Sequence, residues 1–584
     1  MTRLNLKLSA LLLSLGITGT AKDYTNGVFV LNEDWYGHNN STLNFWNYDG
    51  KFVDYMIFQL DNPGYTLGAT AQYGQIFGDC IYIMSKQDID PGEKSDVMSG
   101  RLTIIDKKTI KVKDIVKAFN VNGNGVSIAD GRGCVGVCND KIYIGTSNGI
   151  YIYTPSIKSV SGPIAGSENP LITSNENNED GQSALYQNQI GMMLRGQDYI
   201  FAIKQDDGIL VIDPETDKIV KTIKGCFSTM VQSADGNIWV GVNIAEGENA
   251  FGVSYQHYPY GDNGDKWQGT RLMCVNQYTL ETSTVDLSVG GTPQSWYAWT
   301  AGSLTASAKE NALYFVYGDP VQGRPSWFMT GSLYRYDIDT GDTRLIYDST
   351  TENLHFYSSA LRVNPKDDRL YAHLYVGDNI ACKRWVYMIL DKDGKEVSSI
   401  QPIERYWYPS MMIFPDNDRP EIVGMPSSVT VDGEPVTIPL GDKVKDNDTP
   451  AASIIKRIIH NSAPDIVNAT IYHGDLRLQA LGIGTADVTV QFDSNGLLAE
   501  TTLSVNADVS AIDNILAGKT TQISLTGHTI SITGNDTPVD IEIYNTMGGA
   551  VHSLKSVTLP QSVELTSGFY IVNVSGKVFK IAIK

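Results

Sequence analysis

The chain is short of positive charge. Its 45 Lys and Arg face 65 Asp and Glu, leaving a formal net charge of −20 over 584 residues. Phosphate backbones are held by arrays of Lys and Arg, and no basic cluster occurs, so nucleic acid is excluded as a partner. Histidine is scarce as well, with eight residues, of which His460, His473, His528 and His552 fall in the C-terminal third. His-Glu-x-x-His, Gly-x-Ser-x-Gly and a glycine-rich phosphate loop are all missing. The reading is therefore not an enzyme, with neither catalytic nor metal-binding residues. Carboxylate pairs such as Asp88/Asp90 and Asp367/Asp368 sit in turn-like contexts, where Asp serves the backbone. Only six cysteines occur, each in or beside an apolar strand-like segment, as expected of small buried hydrophobes. The one long apolar run, Leu8 to Ile17, follows Arg3 and Lys7 and precedes Gly19-Thr20-Ala21. That is the pattern of a signal peptide, too short to span a bilayer. Export is expected, with residues 1–21 removed and no Cys placed for lipid attachment.

What the sequence has in quantity is one repeated phrase. A short apolar strand ending in an aromatic is followed by a second strand closing on Asp. It occurs at Asp79–Ile83 with Leu102–Asp106, at Asp140–Ile144 with Gly149–Tyr153, and at Asp198–Ala202 with Gly208–Asp213. It returns at Gly236–Val240 with Leu272–Val275, at Asn311–Phe315 with Gly331–Asp337, and at Asp368–Ala372 with Lys383–Asp391. A spacing of about 40 to 65 residues is that of four-stranded propeller blades with loop insertions. Tyr408–Pro415 reads as a first strand without successors. Gly27–Leu31, Thr42–Tyr48 and Phe52–Phe58 read as three strands without a first. Joining them completes a seventh blade and removes the free sheet edge. The expected fold is all-β: a seven-bladed β-propeller over 22–420, an immunoglobulin-like β-sandwich over 421–507, and a small C-terminal β-sandwich over 508–584. Ala451 to His460 is read as a helix-like interruption of the second unit.

Strand parity puts the loop between second and third strands of a blade on the same face as the inter-blade loop. Those connections are the long ones: Asn32–Ser41, Lys86–Gly100, Asn243–Thr270 and Gly318–Gly331, with Gln59–Ala69, Phe119–Arg132 and Ala165–Asn188 between blades. Long loops on one end of a rigid scaffold are where binding sites sit. They are also rich in aromatics. Trp35, Tyr36, Tyr258, Tyr260, Trp267 and Trp327 lie in these loops, and Gln72, Arg132, Gln189, Tyr297, Trp299, Tyr357 and Trp407 fall where first strands begin. Aromatic surface with amide and Arg partners suits a large, partly apolar small-molecule ligand with polar fringes. The expected ligand-binding set is Trp35, Tyr36, Arg132, Gln189, Tyr258, Tyr260, Trp267, Trp299, Trp327, Tyr357 and Trp407. His257 and His373 are the candidate bases of the least favoured alternative, a propeller lyase.

Two resemblances attach to particular motifs. Val28–Glu33, followed by Asn39–Leu43 and Leu67–Gln72, resembles the opening of a YncE-like surface propeller family of Bacteroidota. That family includes the BtuG-like proteins, which capture vitamin B12 and other corrinoids for an outer-membrane, TonB-dependent transporter. The resemblance covers about residues 27–420. It implies a corrinoid as possible ligand, no bound cofactor, and association with the outer-membrane surface. Asp34 stands where the family has Gly, and the lipid-anchor Cys is missing. Separately, Ile541–Gly549 and Gly568–Lys584 resemble the C-terminal sorting domains of type IX secretion, which implies a cell-surface or secreted destination. A surface adhesin for glycans or proteins is the alternative function.

Overall fold

The computed structural model describes residues 24–583 except 94–95, 122, 124, 126, 171–187, 206, 226, 243–244, 249–253, 258–270, 288–301, 318–327, 330, 378–381, 416–417, 509–520, 535–537 and 547. Among these residues the regular secondary structure is almost wholly strand.

Seven antiparallel sheets form the first unit, each inner strand packing against that of the next sheet until the circle closes. The inner strands of blades one to three are Ala69–Phe77, Gly131–Cys138 and Ile190–Arg195. Those of blades four to six are Phe227–Gln232, Thr305–Ala306 and Leu354–Val363. Blade six carries the extra two-residue strand Phe328–Met329. In blade seven, Pro409–Ile413 supplies the inner strand to Gly27–Asn32, with Leu31 opposite Met411 and Phe29 opposite Ile413. Thr42–Asn47 and Val53–Asp54 complete it. The closure read from the sequence is thus present. Its outermost strand is shorter than expected, because Ile57–Asp61 turns into a short helix that buries Ile57 and Phe58.

The repeated phrase has a physical basis. Where a third strand ends on Asp, that Asp caps the following turn: Asp106 Oδ1 accepts from the N–H of Lys108 (3.1 Å) and Thr109 (2.9 Å). Asp213 accepts from Glu215 N–H at 2.9 Å, and Asp337 from Thr340 N–H at 3.1 Å. These side chains replace backbone partners where the ladder stops. The aromatics sew neighbouring blades together. Tyr153 donates its hydroxyl to Asp114 of the preceding blade at 2.6 Å, and Tyr143 to Asp217 of the following one.

Beyond the ring, one sheet of four strands and one of three enclose a separate core around Leu476, Val488, Phe492 and Val505. Here Ser428–Asp432 runs parallel to Leu497–Asp508. Ala451–Ser453 is only a 3-10 turn and Ile455–Asn461 is a strand paired with Gly484–Ser494, which corrects the helix-like reading. Lys456 and Arg457 look helical in sequence, but both are pinned by contacts with the ring. The last strands, Gln522 to Ile583, form two further sheets around Ile530, Ile541, Ile543 and Val572.

Candidate ligand-binding face

Each blade begins and ends its inner strand at opposite faces of the ring. On the upper face, the loop after Asn32 and the loop after Gln87 are fastened to each other. Gly37 N–H donates to Asp90 Oδ2 (2.8 Å), Asp90 N–H to Asn40 Oδ1 (2.6 Å), and Asn40 N–H to Glu93 Oε2 (3.0 Å). Gly92 lies against the Gly37 carbonyl so closely that a Cβ there would overlap it. Only glycine permits that backbone approach.

Beneath these loops lies a row of buried polar side chains. Arg132 donates Nε and Nη2 to Gln189 Oε1 at 3.0 and 2.9 Å. The same guanidinium stands 3.8 Å from Asp130, which is also 3.8 Å from Arg101, and Arg101 bonds Asp88 at 2.9 Å. Between blades six and seven, Tyr357 donates its hydroxyl to Glu33 Oε1 at 3.2 Å. Burial pushes the Glu33 carboxyl up to about 8, against the opposing pull of Gln72, Tyr357 and Lys86. Burial likewise holds the Lys86 ammonium below its usual range, with Arg132 adding repulsion. A protonated Glu33 donates a hydrogen bond where a carboxylate only accepts. Blades one, two, three, six and seven therefore contribute mixed donors and acceptors to one buried polar set.

The rim is aromatic. Trp35 is 38% and Tyr36 54% exposed. Trp35 stacks on His38 at 3.7 Å and leans on Tyr406 at 4.1 Å. Asp34 orients this rim from a left-handed backbone, φ 57°. Its carboxyl accepts from Arg405 Nε (3.1 Å) and Thr42 Oγ1 (2.6 Å), while burial raises it to about 7. Asp34 thus holds a conformation glycine adopts freely, and secures it with an ion pair to Arg405.

Of the residues expected from sequence, Arg132 and Gln189 come together as a bonded pair, Tyr357 lies beside Glu33, and Trp35 and Tyr36 occupy the rim. Trp407 is a correction. It is completely buried, stacked on Tyr55 at 5.5 Å, with its indole N–H given to Ile403 O at 2.9 Å. It packs the seventh blade and presents no face to a ligand. Tyr258, Tyr260, Trp267, Trp299 and Trp327 lie outside the described residues. Sequence reasoning missed Glu33, Lys86, Arg101 and Asp130. The available signal was a charged residue directly after an apolar strand, as in Val28–Glu33. His373 is sealed between blades six and seven, and burial lowers it to about 3. Neutral and without access to solvent, it cannot exchange protons with a substrate. No group of three or more potential metal ligands occurs among the described residues.

The lower face is occupied differently. Gln197 of blade three donates Nε2 to Lys456 O (2.7 Å) and accepts Lys456 N–H (2.9 Å), imitating a strand partner for the sandwich. Arg457 reaches Val137 O of blade two (3.2 Å), and Tyr278 of blade four stacks on His473. Gly78 N–H of blade one donates to Asn495 O at 2.6 Å. Four of the blades are thereby tied to one end of the sandwich.

Residues 26–415 match a family model described as Domain of unknown function (DUF5074). The chain belongs to this DUF5074 family. No curated protein matches it. Among solved structures it is similar to a quinonprotein alcohol dehydrogenase-like protein from Bacteroides thetaiotaomicron. Identity there is 12% and the TM-score 0.42, covering 68% of this chain and 79% of that one. It is also similar to the extracellular domain of a one component system of B. thetaiotaomicron, at 12% identity and TM-score 0.32, covering 84% of this chain and 58% of that one. A third is the β-propeller domain of Cps50 (Swd1) from Myceliophteria thermophila, at 11% identity and TM-score 0.36, covering 61% and 94%.

Proposed function

We propose that this DUF5074 protein is an exported, non-enzymatic propeller that captures a small molecule at its upper face. The observation that carries the reading is the cross-blade set of buried polar groups, Glu33, Lys86, Arg132, Gln189 and Tyr357, beneath an exposed Trp35–Tyr36 rim. A fold needs no such concentration of desolvated charge for stability, since apolar substitutes serve as well or better. Paired amide, Arg and carboxyl groups under an aromatic lip match a flat ligand with amide fringes. A corrinoid is the ligand of that chemistry suggested by the sequence resemblance. Titration calorimetry of the mature protein with cyanocobalamin and cobinamide tests it, and absence of heat at high micromolar concentration removes corrinoids. A second reading, adhesion to glycans or proteins, draws on Phe569 and Val578, which are 69% and 62% exposed on the last sheet. A glycan array probed with the same protein separates the two. Delivery of the captured molecule to an outer-membrane transporter follows only if the first reading holds.

A further inference from the structure

Blade seven is assembled from both ends of the chain, so its three N-terminal strands meet blade six without a connecting loop. Their hold on the ring is the ladder between Gly27–Asn32 and Pro409–Ile413 and a packed seam against blade six. Along Leu370–Val376 of blade six the side chains alternate. Leu370, Ala372 and Leu374 pack within blades five and six, whereas Tyr371, His373 and Tyr375 face the seam. An apolar residue would fill the middle position without cost. His373 is instead completely buried, its ring 4.3 Å from that of Tyr387 and 6.4 Å from that of Trp46 in blade seven. Neither ring nitrogen has a hydrogen-bond partner among the described residues. The titratable side chains packed around it are phenols, Tyr371 against the same Trp46 ring and Tyr387, which accepts from Asn44 Nδ2 at 3.4 Å. With no charge to offset it, burial alone lowers the imidazole to about 3. The charged groups along the same seam are Glu33, bonded to Tyr357, and Asp34, paired with Arg405.

We infer that His373 is an acid-sensitive catch on the closure of the ring: its imidazole takes up a proton only when the N-terminal strands of blade seven part from blade six. An open seam returns the imidazole to its ordinary value of 6.5, so below that pH the open form binds a proton that the closed form does not. This one group weakens closure about tenfold for each pH unit from about 6 down to about 3. Glu33 and Asp34, raised by burial to about 8 and about 7, act in the opposite sense, because they lose protons on opening. The closed ring is thus bounded from two sides, by the carboxyls against alkali and by the imidazole against acid. Tyr357 and Glu33 stand on the two sides of the seam, so the buried polar set of the upper face divides when it opens. The catch stands whether or not that set takes a ligand.

Labelling of two buried thiols in the full chain reads the seam. Cys382 belongs to the core shared by blades six and seven, while Cys134 lies in the core around blades one and two. Both are labelled with a dipyridyl disulfide, located by peptide mapping, and expressed relative to the same thiol in denaturant. Glu33 and Asp34 respond alike in wild type and in His373→Phe, so the ratio of the two chains isolates the imidazole. At Cys382 that ratio should rise about thirtyfold from about pH 7.5 to about pH 5, with Cys134 labelled several-fold more slowly than Cys382. A flat ratio at Cys382 overturns the catch, and equal normalised rates at both thiols show that protonation needs unfolding of the whole ring, which overturns it as well. A second measurement needs no substitution. Exchange of the His373 C2 hydrogen, followed by mass spectrometry in the wild type, should be far slower than at exposed His38, and an equal rate overturns the inference.

Discussion

The upper and lower faces of the ring are built from the same repeat, yet they spend their polar groups in opposite ways. Below, turns are short, and side chains such as Gln197 satisfy the backbone of an adjoining unit through bonds of 2.7 and 2.9 Å. Above, long loops arch over side chains that satisfy one another, Arg132 with Gln189 and Tyr357 with Glu33. Lower-face groups are used up in assembly. Upper-face groups bond one another across blades, with Arg132 and Gln189 also donating to the backbone carbonyls of Gly131 and Ser147. Loop length is what separates the two, since only a long connection can arch over a buried polar set without leaving its own backbone unsatisfied.

The largest expected effect comes from breaking the upper set. Arg132→Ala removes the guanidinium bonded to Gln189 and one of the two cations beside buried Asp130, so denaturant unfolding should show a loss of about 3 kcal/mol. Ligand binding should vanish with it. Full stability in that variant would mean the set is more solvated than its burial indicates. Gln197→Ala cuts two bonds to the sandwich, and a loss of about 2 kcal/mol is expected from two neutral hydrogen bonds. Affinity for the upper-face ligand should stay the same. A change there would mean that the two faces are coupled through the ring.

The pH dependence sharpens the contrast further. Glu33 and Asp34 have folded-state values raised to about 8 and about 7 by burial. Between the ordinary carboxylate range and those values the folded chain binds more protons than the unfolded one, so stability falls as pH rises. The thermal midpoint should decline from about pH 5 to about pH 8.5 by that linkage, and Glu33→Gln should flatten part of that decline. Asp448 in the sandwich, raised to about 8 by burial and by Asp446, should leave a residual slope. A wild-type midpoint that rises over this range would contradict the burial of these carboxyls. The smallest effect on folding belongs to the rim. Tyr36→Ala should shift stability by less than about 0.5 kcal/mol, as exposed positions do, while weakening ligand affinity about tenfold, or roughly 1.4 kcal/mol. Unchanged affinity would move the contact surface away from Tyr36.

Much of this architecture was legible in the residues. Alternation of apolar and polar positions, an aromatic closing one strand and an Asp closing the next define a blade locally, because each feature acts within a few residues. Asp106 caps its own turn whatever lies elsewhere in the chain. Parity along the chain also indicated which loops share a face. The site was only partly visible. Arg132 and Gln189 could be named from their positions at the starts of inner strands, but Trp407 looks no different in sequence from Trp35. Only the ring decides that one stacks inside the closing blade on Tyr55 while the other reaches the rim. Glu33 and Lys86 read as ordinary polar residues until closure buries them in one set with Tyr357 of blade six, 324 residues distant from Glu33. Strand pattern is a short-range property and a sequence states it directly. Burial of a charge depends on what the rest of the chain lays over it, and that belongs to the tertiary structure.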